Sequence, residues 1–233
     1  MAEAESVLGS IDKARRAADE LRNMSVGNFR IASTSGFAMS LVPNALARFN
    51  KKHPDVTTSL QTHHSREVRE LVASRIFDVG VCEHYAFEPV QSPEIEYFSV
   101  PCALVCHRND PLAELSLITP KDLERHVIIS PYDQHPTTIA LRQAFHDEGM
   151  DWRPQVASNL YGAACRMVLY GGAVTWADPF TLAMLSNPIL CARPFKPEVF
   201  LRFAIVKAPQ EQELSHVTEM ISLIREEIET ISH

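Results

Sequence analysis

The chain has 233 residues, 45% hydrophobic and 22% charged, which is enough for one large or two modest cores and too apolar for a disordered chain. A formal net charge of −7, with no basic stripe interleaved with aromatics, argues against a nucleic-acid surface spread over the chain. No apolar run approaches ~20 residues, so no membrane-spanning helix and no membrane partner are expected. The charged N-terminus lacks the apolar stretch of a secretory signal. Five cysteines (Cys82, Cys102, Cys106, Cys165 and Cys191) with no Cys-x-x-Cys pair fit reduced thiols and a cytoplasmic location.

Residues 3 to 23 read as a helix with a narrow stripe of Leu8, Ile11, Ala14, Ala18 and Leu21, which suits a helix–helix seam. "FRIAS" is a strand. In "SLVPNALARFNKKHPDV", Leu41, Val42, Ala45, Leu46 and Phe49 recur on one helical face. Pro43 is tolerable only near the start of that helix, so the helix is expected to begin between Gly36 and Met39. His53-Pro54 ends it, because a residue before proline is pushed out of the α region. "VTTSLQ" is the second strand. "SREVRELVASRIFD" is a helix with Val68, Leu71, Val72 and Ile76 on its dry side, and it feeds the apolar strand "VGVC". This β-α-β-α-β run implies a parallel sheet with right-handed crossovers.

"IEYFSV" and "PCALVCHRN" are expected as two further strands. Thr119-Pro120 is a cap and first turn for "KDLERH". "VIISP" is a buried strand. In "HPTTIALRQAFHDEGM", Ile139, Leu141, Ala144 and Phe145 face inward, and Gly149 stops the helix. "PQVASN", "AVTWAD", "ILCARPF" and "FLRFAIVKA" are strands; "LYGAACRMVLYG" and "PFTLAMLS" are helices. The C-terminal helix presents Leu214, Val217, Met220, Ile221, Ile224 and Ile228 on one face and is expected to return to the first half. The fold class is therefore α/β: two Rossmann-like β/α lobes with a cleft between them, plus an N-terminal linker helix. Lobe I takes residues 28–100 and 205–233, lobe II takes 101–204, and residues 1–25 form the helix.

In open α/β sheets, ligands bind beyond the carboxyl ends of the strands. Those ends place Ser33, Thr34, Ser35, Thr62, His63, His64 and Glu83 in lobe I, and Ser130, Tyr132, Tyr161 and Asp178 in lobe II, as candidate ligand-binding residues. Ser33, Thr34 and Ser35 precede a helix, where free N–H groups and hydroxyls suit a carboxylate, although one of them is expected to serve as an ordinary N-cap. Glu83 and Asp178, one from each lobe, suit an ammonium or guanidinium group; Asp178 before Pro179 is equally cap-like. Trp176 is either a stacking surface or core. His63-His64 is no metal site by spacing, because adjacent strand residues point to opposite faces. Cys102 and Cys106 share a sheet face but lie too far apart for a disulfide, so a buried thiol is the expectation. No nucleophile elbow, phosphate loop or triad spacing is present, so no catalytic residue, metal or cofactor is assigned.

The order of "GNFRIASTSGFAMSLVPNALARFNKKHPDV", "REVRELVASRIFDVGV", "HRNDPLA" and "ITPKDLERHVII" resembles the effector-binding domain of LysR-type transcriptional regulators over almost the whole chain. "TWADP" and "SNLYGAA" are similar to the octopine and nopaline regulator subgroup. The resemblance implies a type 2 periplasmic-binding-protein-like fold and a small anionic or zwitterionic effector, amino-acid-like or opine-like, in the inter-lobe cleft. It also implies a homodimer or homotetramer, with the first helix as the remnant of a dimerising linker. The winged helix-turn-helix of the family is absent from this chain, so promoter DNA would be reached only through that missing domain. An extracytoplasmic solute receptor of the same fold is the alternative, and a cleft enzyme is a third reading; fold alone does not choose among them.

Overall fold

The structure is a computed structural model that describes residues 28–84, 95–208 and 215–232. The expected helix over residues 3 to 23, and Leu214 of the C-terminal stripe, lie outside the described residues.

Strand β1 (Asn28–Ser33) is paired in parallel with β2 (Thr57–Thr62) on one side and β3 (Val79–Glu83) on the other. The segment between β1 and β2 is two helices rather than one, α1 (Ser35–Met39) and α2 (Leu41–Lys52). Pro43 explains the break. It has no N–H to give the Met39 carbonyl, and its ring would crowd that group. The chain therefore turns at Ser40, whose hydroxyl donates to the Gly36 carbonyl at 2.9 Å. Leu41, Val42, Ala45 and Phe49 are buried, with Phe49 stacked on Phe29 at 5.2 Å. The helix ends at His53, whose N–H donates to the Phe49 carbonyl.

Helix α3 (Ser65–Ala73) buries Val68 and Val72 against β3. Gly80 makes this approach possible: a Cβ there would stand 2.7 Å from Val68 Cγ1.

Ile95 to His107 form one strand, β4, instead of the two expected. Proline interrupts a strand only where its missing N–H is needed. Pro101 is registered against Phe200, and pairing on the other side of β4 begins only at Ala103, so the ladder runs through. Beyond β4 come two short 3₁₀ turns at Pro111–Glu114 and Pro120–Leu123. The second replaces the helix expected for "KDLERH", and the Thr119 N–H and hydroxyl both donate to the Asp122 carboxylate at 2.8 Å.

The second lobe follows with β5 (Val127–Ser130), α4 (Pro136–Asp147), the two-residue β6 (Val156–Ala157), α5 (Tyr161–Val168), β7 (Ala173–Ala177), α6 (Pro179–Leu185) and β8 (Leu190–Arg193). In α4, Leu141, Ala144 and Phe145 are buried as expected, but Ile139 is 42% exposed. Thr137 and Thr138 occupy the buried positions instead, where their hydroxyls meet Tyr161 Oη and Ser130 Oγ, both at 3.0 Å. Trp176 is core, edge-on to Phe195 at 5.2 Å.

Strand β9 (Val199–Lys207) returns to the first lobe, antiparallel to both β3 and the first part of β4. The sheet order is β2-β1-β3-β9-β4-β7-β5-β6, with β8 on β4. The chain thus leaves the first lobe along β4, whose last residues pair with β7 and β8, and comes back along β9. Helix α7 (Ser215–Ser232) packs on α2. Val217, Met220, Ile221, Ile224 and Ile228 are buried, as is Leu223. Polar contacts rim the pair: Arg48 meets Glu226 and Glu227, and Glu219 takes both Lys52 and His53 Nε2, the latter at 2.7 Å. Among the described residues, no helix is long and apolar enough to cross a membrane.

Candidate functional site

The carboxyl ends of β1, β2 and β3 face the α4 and α5 N-termini across a cleft of about 390 Å³. Its walls are Thr34, Ser35, Gly36, His63, His64, Ser65, Arg66 and Glu83 from the first lobe, and Tyr132, His135, Asn159 and Leu160 from the second. Of the residues singled out in the sequence, the structure brings six to these walls: Thr34, Ser35, His63, His64, Glu83 and Tyr132.

The three residues after β1 separate. Ser33 is buried, and its hydroxyl lies 3.0 Å from the Val81 carbonyl oxygen and 3.1 Å from that of Thr34, so its hydrogen is already used. Thr34 is the N-cap of α1 and 9% exposed. Its hydroxyl does not cap the helix, and it is buried without a hydrogen-bond partner among the described residues. Ser35 is exposed at the cleft.

Strand β2 stops at Thr62, which is exposed and outside the cleft wall. His63 and His64 lie beyond the strand, so the alternation of strand side chains does not apply to them and both line the cleft. His64 precedes α3 as its N-cap residue. The His63 ring sits edge-on to Phe77 at 5.5 Å, and its Nε2 is buried and unpartnered among the described residues. Among the described residues, no group of three or more His, Cys, Asp or Glu side chains is placed to hold a metal ion.

On the other side, Ser130 is buried in its bond to Thr138. Tyr161 is buried with its hydroxyl on Thr137, and burial pushes its phenol well above the usual range. Asp178 is not at the wall either. It is the N-cap of α6, accepting from the Thr181 N–H at 2.9 Å and the Thr181 hydroxyl at 2.7 Å. Burial raises its carboxyl above the ordinary value, and the hydrogen bonds from Thr181 oppose that rise.

A contact bridges the lobes inside the cleft: His135 Nε2 lies 3.0 Å from Glu83 Oε2. The tautomer follows from the other ring nitrogen. His135 is the N-cap of α4, and its Nδ1 accepts the Thr137 N–H at 3.2 Å. Nδ1 therefore carries a lone pair, and Nε2 carries the hydrogen that is donated to Glu83. His135 escaped the sequence reading, although "HP" at a helix start marks a residue just before a proline first turn. Gly36, Ser65, Arg66, Asn159 and Leu160 also joined the wall without having been singled out as ligand contacts.

This arrangement of two lobes, with hydroxyls and histidines on one wall and a histidine reaching over from the other, can be compared with known proteins. The model of the LysR substrate binding domain matches residues 22–229. The chain belongs to that family. It is 29% identical over 194 residues to the regulatory protein NocR of Agrobacterium tumefaciens, covering 82% of this chain and 63% of NocR. It is 25% identical over 199 residues to the transcriptional activator protein LysR of Escherichia coli, covering 84% of this chain and 63% of the activator. The chain thus spans a little under two thirds of these relatives. The family fold is seen in the regulatory domain of Synechocystis CcmR in complex with 2-PG, which superposes with a TM-score of 0.65 at 18% identity over 85% of this chain and 95% of that one. The two-lobe, type 2 periplasmic-binding-protein-like architecture expected from the sequence is the family's own.

Proposed function

We propose that this chain is the effector-sensing part of a LysR-type transcriptional regulator, and that a small anionic or zwitterionic metabolite bound between the lobes sets its state. The observation that carries this is the cleft itself: it lies at the strand ends, it holds a buried Thr34 hydroxyl with no hydrogen-bond partner among the described residues, and a polar contact, Glu83 to His135, crosses it. In this reading Thr34, Ser35 and the first-turn amides of α3 take the ligand's carboxylate. Glu83 takes a cationic end where the ligand has one, and must then share its carboxylate with His135. A ligand acts only through differential affinity for the open and closed arrangements. The resemblance of "TWADP" and "SNLYGAA" to the octopine and nopaline regulator subgroup supports amino-acid-like or opine-like ligands over other acids. DNA contact, in this reading, comes from the part of the relatives that this chain does not span, and the protein works in the cytoplasm as a dimer or tetramer. Residues 28–100 with 205–233, and 101–204, are the two moving bodies. Binding occurs without turnover.

A thermal-shift and calorimetric screen over amino acids, opines and aromatic acids tests this. The expected result is one saturable ligand that is recovered unchanged. Chemical conversion of the ligand would overturn the reading, as would binding that Thr34→Val and Ser35→Ala both leave untouched. Sedimentation at high micromolar concentration is expected to show at least a dimer; monomer alone would reject the assembly.

A further inference from the structure

Strands β4 and β8 place two cysteines directly opposite each other, Cys106 against Cys191. Just beyond the end of β4, two residues after Cys106, the Arg108 N–H donates to the Ile189 carbonyl at 2.7 Å, so by the alternation of the antiparallel ladder the cysteines occupy the same kind of hydrogen-bonded position. Such pairs have Cα atoms about 5.5 Å apart, inside the range a disulfide spans. Opposite side chains in a ladder share a face, and here the Cys106 Sγ already lies 3.7 Å from the Cys191 carbonyl oxygen. The pair is 85 residues apart in the chain, so nothing in the local sequence announces it.

We propose that Cys106 and Cys191 form a dithiol site for a two-electron thiol oxidant, such as hydrogen peroxide, and close to a cross-strand disulfide that staples β8 onto β4. The roles follow from their surroundings. Cys191 is half-buried, whereas the other four cysteines are buried. Burial, followed by the nearby Cys191 and Asp110, pushes the Cys106 thiol up to about 12, so it is a poor first nucleophile. Cys191 therefore reacts first: its thiolate attacks one peroxide oxygen, breaking the O–O bond to give Cys191 sulfenic acid and hydroxide. Cys106 then attacks the Cys191 sulfur. The S–OH bond breaks, the Cys106 proton leaves with that hydroxide as water, and the S–S bond forms. In sum, two thiols and one peroxide give one disulfide and two waters. The Arg193 guanidinium supplies positive charge near the pair while it holds the Ala113 carbonyl.

Geometry also predicts that the bond is easily reduced. Cβ atoms across a ladder are about 4.5–5.5 Å apart, and a disulfide prefers about 3.5–4.5 Å, so β8 must be drawn inward. Only β4 pairs with β8 among the described strands, and β8 is four residues long, so it can yield. A bond closed under such tension belongs to the labile class.

The test is intact-mass and peptide-mapping mass spectrometry of the folded full chain, before and after hydrogen peroxide and then dithiothreitol. The expected result is loss of two hydrogen masses, one linked peptide pair holding Cys106 and Cys191, and full reversal by dithiothreitol. Cys191→Ser, at the half-buried position, should abolish the linkage and leave Cys106 unoxidised. Cys106→Ala should stop Cys191 at the sulfenic acid, trapped by dimedone. Cys191 gaining oxygen in the wild type while Cys106 stays free would overturn the proposal. So would a bridge between two chains, a different pair, or no reaction at all in folded protein.

Discussion

Replacing Thr34 by Val separates stability from binding and moves them in opposite directions. The Thr34 hydroxyl is buried, makes no cap bond to α1, and finds no partner among the described residues. A buried polar group without a partner costs about 1–3 kcal/mol. Val keeps the β-branched shape and removes that group, and no capping bond is lost with it. The free protein should therefore become more stable by about 1 kcal/mol, which for a chain of this size raises the melting temperature by about 2–4 °C. In the complex, the same change removes a hydrogen bond to a charged ligand group, worth about 1.5–3 kcal/mol, so affinity should fall at least tenfold at ~1.4 kcal/mol per decade. Thermal unfolding without ligand and calorimetry with it read the two effects on one variant. A lower melting temperature with unchanged affinity would refute the reasoning, because it would show the hydroxyl satisfied in the free protein and remote from the ligand.

Three other outcomes are expected. Glu83→Gln should weaken a zwitterionic or cationic ligand strongly and spare a purely anionic one, as read by titration calorimetry against both classes; equal effects on both would place the ligand's cation elsewhere. Gly80→Ala sets a Cβ 2.7 Å from Val68 Cγ1 and 3.0 Å from Val72 Cγ2, and should destabilise by about 1–3 kcal/mol in urea unfolding with the slope unchanged. The Glu219 carboxyl is held below its ordinary 4.5 first by the hydrogen bond with His53 and then by that with Lys52. A lowered acid stabilises the fold above its unfolded value and loses that contribution as pH falls through the folded one, so the urea midpoint should drop more steeply below about pH 4.5 in wild type than in Glu219→Gln.

Much of the fold was legible from the chain. The stripe Leu41, Val42, Ala45, Phe49 and the stop at His53-Pro54 located α2, because periodicity and proline act within a few residues. The apolar run before Glu83 located a central strand for the same reason, and the stripe from Val217 to Ile228 located α7. Local chemistry also explains the break between α1 and α2: Pro43 constrains where a helix begins, and in the structure it divides one helix from the next.

The site was legible only as a neighbourhood. Strand ends named the right loops, and six of the eleven candidate side chains do line the cleft. What a sequence does not carry is the partner that spends a polar group. Ser33 and Asp178 look as available as Thr34 and Glu83 until the Val81 carbonyl takes the Ser33 hydroxyl from 48 residues away and Thr181 closes on Asp178. Glu83 meets His135 across 52 residues, and Cys106 meets Cys191 across 85. Helical faces, caps and turns arise from interactions within one turn of chain, so the sequence determines them. The choice of which hydroxyl, imidazole or thiol remains free is made by strand register and lobe packing, which exist only once the sheet has formed.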